Sequence, residues 1–212
     1  MSHIPNSNVG YQFTNTWFSS TAQPVWDQLL PQVNPTRVLE IGSYEGASTC
    51  YLVERFGGTR ALDVHCVDTW EGGVEHSTTD MSAVEARFDQ NVAIASQRAL
   101  VAPTITKHKG YSDAQLAKLL AGGLTGYFDF VYVDGSHQAP DVLADAVLGF
   151  RLLRIGGVMA FDDYLWSETL PTGVDPVRCP KPAIDAFTNL YCRKLHIIPA
   201  PLYQLYIVKT QD

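Results

Sequence analysis

Short apolar runs alternate with amphipathic stretches along most of the chain. Strand candidates are Arg37–Ile41, Ala61–Val67, Thr104–His108, Phe128–Val133 and Gly157–Phe161. Between the last two, Leu143, Ala146, Val147, Phe150 and Leu153 form one apolar stripe at helical spacing. Pro140 sits near the first turn, Asp141 and Asp145 lie early, Arg151 and Arg154 late, and Gly156–Gly157 closes the segment. That order suits the helix dipole. A second helix is predicted from Ser112, where Ser112 and Gln115 make a capping box before Leu116, Leu119 and Leu120. Ala47–Phe56 reads as a third, closed by Gly57–Gly58.

Strand–helix–strand alternation predicts a parallel sheet covered on both faces by right-handed crossovers. The final runs, Leu195–Ile198 and Gln204–Lys209, are separated only by Pro199 to Tyr203, too little for a helical crossover. They are expected to pair antiparallel at the sheet edge. The expected fold is therefore α/β: a Rossmann-like, doubly wound sheet, mostly parallel, with an antiparallel C-terminal strand pair. Residues 1–35 read as an aromatic arm or helix packing on the core, and residues 36–212 as one domain.

Composition narrows the partners. With 46% apolar and 17% charged residues, the chain of 212 residues is an ordinary globular one. A net charge of −7 without a basic cluster excludes a nucleic-acid surface. No apolar run reaches the roughly 18 residues of a membrane span. MSHIPNSNVG shows no basic or apolar leader, so a cytoplasmic location is expected. Cys50, Cys66, Cys179 and Cys192 show no metal-ligand spacing and read as free thiols. A homodimer is the ordinary expectation for a soluble chain.

In an open parallel sheet the ligand sits beyond the carboxyl ends of the strands, and each predicted end here is polar. Glu40-Ile-Gly42 follows the first, Asp68-Thr-Trp70 the second and Gly110-Tyr-Ser112 the third. Asp134-Gly-Ser-His137 follows the fourth and Asp162-Asp163-Tyr164 the fifth. The first loop, VLEIGSYEGAS, joins a strand to a helix through Gly42 and Gly46, which brings backbone N–H groups to a helix N-terminus. Glu40 in that turn repels a pyrophosphate but suits a ligand with its own ammonium group. Tyr44 stands where a GxGxxG fingerprint needs glycine, which disfavours a dehydrogenase. Asp68 is placed to accept the hydroxyls of a ribose. Ser112 and Asp113 could reach an adenine ring, or Ser112 could only cap its helix, or both.

Asp134, Asp162 and Asp163 would repel one another unless protonated or gathered around a cation. Oxygen ligands point to a hard ion, magnesium or calcium; alternatively Asp162 or Asp163 caps the next turn. His137, three residues after Asp134, can serve as a general base at neutral pH, or hold the loop. His3, His65, His76, His108 and His196 show no ligand spacing.

Together these motifs resemble class I S-adenosylmethionine-dependent methyltransferases. EIGSYEGAST resembles the loop of the catechol O-methyltransferase-like, cation-dependent enzymes, and with VDGSH and FDDY it is similar to the methyltransferase-24 domain family. The likeness covers about residues 36 to 165. It implies that Glu40, Gly42 and Ser48, with Ser43 and Gly46 of the same loop, hold the methionine end of the donor, and that Tyr44 lines the pocket. It implies that Asp68 binds the ribose beside Trp70, and that Gly110, Ser112 and Asp113 bind the adenine end. Asp134 would border the donor and, with Asp162 and Asp163, would hold Mg2+ or another divalent cation. The related catechol enzymes have asparagine at the position of Asp163 and a lysine base at that of His137. The acceptor implied is a small hydroxylated molecule, a sugar or a natural-product phenol. Acceptor contacts would come from Tyr11, Phe13, Trp17, Phe18 and Trp26, and from the loops Glu71–Asp80 and Tyr164–Pro180.

Overall fold

The computed structural model describes residues 10–58, 60–73, 76–168 and 170–212. His3 and the first nine residues of the arm lie outside these, as do two residues of the loop at 71–80 and one of the loop at 164–180.

Seven strands form one sheet: β1 (Arg37–Ile41), β2 (Asp63–Asp68), β3 (Thr104–Lys109), β4 (Phe128–Val133), β5 (Leu153–Phe161), β6 (Leu195–Ile198) and β7 (Leu205–Lys209). Their order is β3-β2-β1-β4-β5-β7-β6. The first five run parallel, while β7 enters antiparallel between β5 and β6. The winding reverses between β1 and β4, so the fold is the doubly wound α/β sheet with an antiparallel C-terminal pair.

Helices α1 (Trp17–Ser20) and α2 (Gln23–Val33) precede β1; α3 (Ala47–Phe56), α4 (Met81–Arg98), α5 (Ser112–Ala121) and α6 (Ala139–Leu152) connect the successive parallel strands, and α7 (Lys181–Leu190) lies between β5 and β6. Strand alternation divides the core. Val38, Phe130, Tyr132 and Val158 point to a cluster with Trp26 of α2, Leu52 of α3 and Phe88 of α4. Leu39, Val131, Val133 and Met159 point to the other face, under Leu116 of α5, Phe150 of α6 and Phe187 of α7.

Three local expectations need correction. Ser112 is the first helical residue of α5 and makes no cap; Tyr111 stands at the cap position, and Gln115 turns back to donate to the Lys109 carbonyl at 2.9 Å. Gly156–Gly157 does not close α6. That helix ends at Leu152 and passes directly into β5, whose irregular first half carries both glycines between the pairings Phe128↔Leu153 and Phe130↔Val158. The buried face of α6 is also rotated: Leu143 is exposed, whereas Asp145 is buried with Val142, Ala146 and Phe150.

Candidate active site

Backbone hydrogen bonds carry the ladder past the ends of the strands and fix the loops above them. Gly42 N donates to Val67 O, Asp134 N to Ile41 O, Asp162 N to Val133 O and Gly110 N to Asp68 O, at 2.8–2.9 Å. Polar residues predicted at five strand ends are thereby brought to one edge, around the point where the winding reverses. Gly42 has φ +85°, and a Cβ there would stand 1.9 Å from the Asp134 carbonyl. Only glycine lets β1 and β4 close up at this point.

The loop after β1 bends through positive φ at Gly42, Tyr44 and Gly46. Glu40 is fully buried and points toward α3, where it accepts hydrogen bonds from the Ser48 hydroxyl and, at 2.5 Å, from Thr49 Oγ1. Burial raises its carboxyl above the usual range, and the hydroxyls of Ser43, Ser48 and Thr49 oppose that rise. Glu40 and Ser48 thus hold each other. The Ser43 hydroxyl is buried and has no hydrogen-bond partner within normal geometry.

Asp68 accepts from the backbone of the glycine loop: Oδ2 takes Ser43 N and Tyr44 N, each at 2.9 Å, and Oδ1 takes Trp70 N at 2.7 Å. Trp70 Nε1 donates to the Tyr44 carbonyl, while its buried ring lies on Phe88 and beneath the Lys107 ammonium. Trp70 therefore fastens the loop to α4.

Glu45, in the same loop, was not singled out from the sequence. Almost wholly buried, it accepts from Thr14 N (2.7 Å), Thr14 Oγ1 (2.8 Å) and Arg87 Nε (2.5 Å). Asn91 joins the same knot, donating to the carbonyls of Glu45 and Gln12. The segment from 12 to 14 is so tied to the glycine loop and to α4. Beyond it, Trp17 is exposed and packs on Tyr44, which stacks on His76 at 5.3 Å. Trp26, by contrast, is a core residue against Phe130 and Tyr132. No local pattern marks Glu45, because its partners lie 31 and 42 residues away.

At the ends of β4 and β5, Asp134, Asp162, Asp163 and His137 line one small hollow with Ser136. Asp162 is pushed up to about 6, by burial first and by Asp163 second. Asp134 lies well above the carboxylate range for the same reasons, burial and then both neighbouring aspartates. Protein donors partly occupy the group: the Tyr132 hydroxyl donates to Asp162 Oδ2, Asp163 N donates to Asp162 Oδ1 at 2.8 Å, and His137 Nε2 lies 2.9 Å from Asp163 Oδ2. The His137 ring packs on Trp166 at 4.1 Å. Tyr132 was not singled out from the sequence; its one clue is a hydroxyl in a strand whose other polar residue is Asp129. All-oxygen, mutually repelling donors suit a hard cation chemically. As the side chains stand, no three His, Cys, Asp or Glu among the described residues converge as ligands.

The third predicted strand end, after β3, leads into α5. Ser112 is partly buried and Asp113 exposed, where it accepts from Ala114 N. His65 and His108, which show no ligand spacing in the sequence, form a pair 2.9 Å apart on β2 and β3. The four cysteines are free thiols, with Cys192 exposed rather than buried. No helix among the described residues is long and apolar enough to cross a membrane.

The family model described as "Methyltransferase domain" matches residues 39–164, the span that carries every one of these strand ends. The chain belongs to this family. A probable caffeoyl-CoA O-methyltransferase 3 of Dictyostelium discoideum is 24% identical over 73% of this chain and 57% of its own length. The chain spans about half the length of the curated relatives it matches. Among solved structures, the O-methyltransferase TomG of Streptomyces achromogenes, in complex with S-adenosylmethionine, superposes with TM-score 0.63 at 19% identity, over 88% of this chain and 78% of that one. CalS11, a TDP-rhamnose 3'-O-methyltransferase, gives 0.65 at 16% identity, over 100% and 89%. At such identities these likenesses establish the methyltransferase fold.

Proposed function

We propose that the chain is an S-adenosylmethionine-dependent O-methyltransferase acting on a small hydroxylated molecule, a sugar or a phenolic natural product, with a divalent cation assisting. One observation carries the reading: the glycine loop and the Asp134–His137–Asp162–Asp163 group meet on either side of the β1–β4 reversal. A methyl donor held by the first would present its sulfonium toward the second. The names of the Dictyostelium relative and of both solved structures support an oxygen acceptor.

In this reading Ser43, whose buried hydroxyl has no protein partner, and the N-terminal turn of α3 receive the methionine end. Asp68 retains one unused lone pair, on Oδ1, for a ribose hydroxyl, and Ser112 and Asp113 meet the base. The protein mainly aligns the two reactants, an effect worth roughly 7–11 kcal/mol. When bound, the donor would supply a methyl group for in-line transfer to the acceptor oxygen, and His137, whose ring Asp163 orients, would accept the hydroxyl proton. Asp134, Asp162 and Asp163 would hold Mg2+, which lowers the pKa of a bound hydroxyl. A metal-independent transfer is the second reading, favoured by the bonds that Tyr132 and His137 already make to the acidic group.

Calorimetry with S-adenosylhomocysteine and, separately, NAD tests the donor: binding of the first alone is expected, and binding of NAD alone would overturn the proposal. Turnover of a panel of catechols and sugars, with and without EDTA, then tests acceptor and cation. Undiminished turnover in EDTA would leave the metal-independent reading.

A further inference from the structure

Positive charge is segregated in this fold. Arg55, Arg98, Lys118 and Arg151 occupy the last turns of α3, α4, α5 and α6, as the helix dipole favours. Those helix ends lie at the edge of the sheet opposite the candidate site, because crossover helices run back against the parallel strands. At the site's own edge, the loops 42–46, 69–80, 134–138 and 199–204 hold no lysine or arginine among the described residues.

Arg178 and Lys181 are the cations that reach this edge after β5, on either side of Pro180, which lines the hollow with Ile184. Both are committed to carboxylates. Arg178 Nη2 lies 2.6 Å from Glu168 Oε2, while Lys181 Nζ lies 2.5 Å from Asp185 Oδ2 and donates to the Tyr164 hydroxyl at 2.9 Å. On the β3 flank, Lys109 is paired with Glu85 at 2.6 Å and Arg87 with Glu45 at 2.5 Å. A phosphate is ordinarily received by an arginine or lysine with charge to spare. Here it would meet neutralised pairs around three aspartates.

The rim of the hollow is apolar instead. Tyr164 N donates to Tyr203 O at 3.1 Å, which ties the loop after β5 to the turn between β6 and β7. Beside that bond Leu165, Leu202 and Tyr203 are 53%, 58% and 47% exposed. Next in the chain, the Trp166 ring lies 4.1 Å from that of His137. Apolar side chains exposed together at one place mark a ligand surface. We infer that this site selects a phosphate-free aromatic hydroxyl compound as acceptor and rejects phosphate-bearing ones such as nucleotide sugars. Trp166 and its neighbours receive the ring, and the Arg178–Glu168 and Lys181–Asp185 pairs withhold the positive charge a phosphate needs. The inference rests on the methyl-transfer reading above and names the acceptor class for that same site.

The test is calorimetry on the chain saturated with S-adenosylhomocysteine, with 3,4-dihydroxybenzyl alcohol, its phosphate monoester and TDP-glucose as probes. The free phenol should bind about tenfold or more tightly than its phosphate ester, and TDP-glucose should not bind. Glu168→Gln and Asp185→Asn each release one cation at an exposed pair. Each should narrow the ratio about threefold, and the double variant should bring it close to unity. Trp166→Ala should weaken the free phenol about fivefold or more, with S-adenosylhomocysteine still bound. Equal or tighter binding of either phosphate compound by the wild type overturns the inference, as does an unchanged ratio in the double variant. Binding of none of the three probes overturns it too, while leaving the proposed donor intact. Failure of the wild type to bind S-adenosylhomocysteine overturns both.

Discussion

His137 Nε2 lies 2.9 Å from Asp163 Oδ2, so a carboxylate at the end of β5 orients an imidazole in the loop after β4. Methyl transfer with His137 as base should suffer when the ring is lost. His137→Gln is expected to lower kcat by roughly 10²–10⁴-fold, with the affinity for S-adenosylhomocysteine unchanged. Single-turnover kinetics beside calorimetry separates the two quantities. Full turnover in the variant would reduce His137 to a loop residue.

Gly42→Ala should be among the most damaging small substitutions in the chain. The new methyl would meet the Asp134 carbonyl at 1.9 Å, at a φ of +85° that alanine disfavours. A loss of about 3 kcal/mol or more is expected, read by urea denaturation. Gly58→Ala is the control, since nothing lies within 4 Å of its Cβ position. It should be nearly neutral.

Glu45→Ala removes the acceptor shared by Thr14 and Arg87. Because Arg87 is itself partly exposed, the expected loss is about 2–3 kcal/mol, below that of a fully buried pair. Amide hydrogen exchange at Gln12 to Thr14 should accelerate along with it. Unaltered exchange there would mean that Glu45 does not hold the arm.

Asp145 and pH give a signed prediction. Its folded pKa of about 7 lies above the ordinary aspartate value near 3.9. The folded chain therefore holds this proton more tightly than the unfolded chain. The contribution is fully present below about pH 4 and is lost as pH rises through about 7. Between those values Asp145→Asn should show a flatter stability curve than the wild type, and at pH 8 a higher melting temperature. A parallel offset at all pH values would refute the raised pKa.

Much of this architecture was legible from the chain. The strands at Arg37–Ile41 and Phe128–Val133 and the helix at Ala47–Phe56 end where periodicity and glycine put them. The reversed final pair followed from the shortness of its connection. Elsewhere tertiary context prevailed over local signals. Gly156–Gly157 looks like a helix stop, yet β4 draws the segment into an irregular strand. Asp145 looks like an early helical acid serving the dipole, yet it is buried on the packed face of α6. For Glu45 and Tyr132 the chemistry resides wholly in distant partners, which no window of sequence displays.

The direct passage of α6 into β5 has a mechanical consequence. From Asp134 to Asp162 the chain runs through a short turn, a helix and a strand with no connecting loop after the helix. Lys209 clamps that junction, donating to the Phe150 and Leu153 carbonyls at 3.0 and 2.9 Å. The spacing of the two acidic strand ends is thus geared to the length of one helix, and a single inserted residue in α6 would be transmitted as a rotation of about 100°. Evolutionary tinkering with the acceptor would be confined to segments outside this gear train, such as the stretch after Tyr164, where length can change without moving the reacting groups.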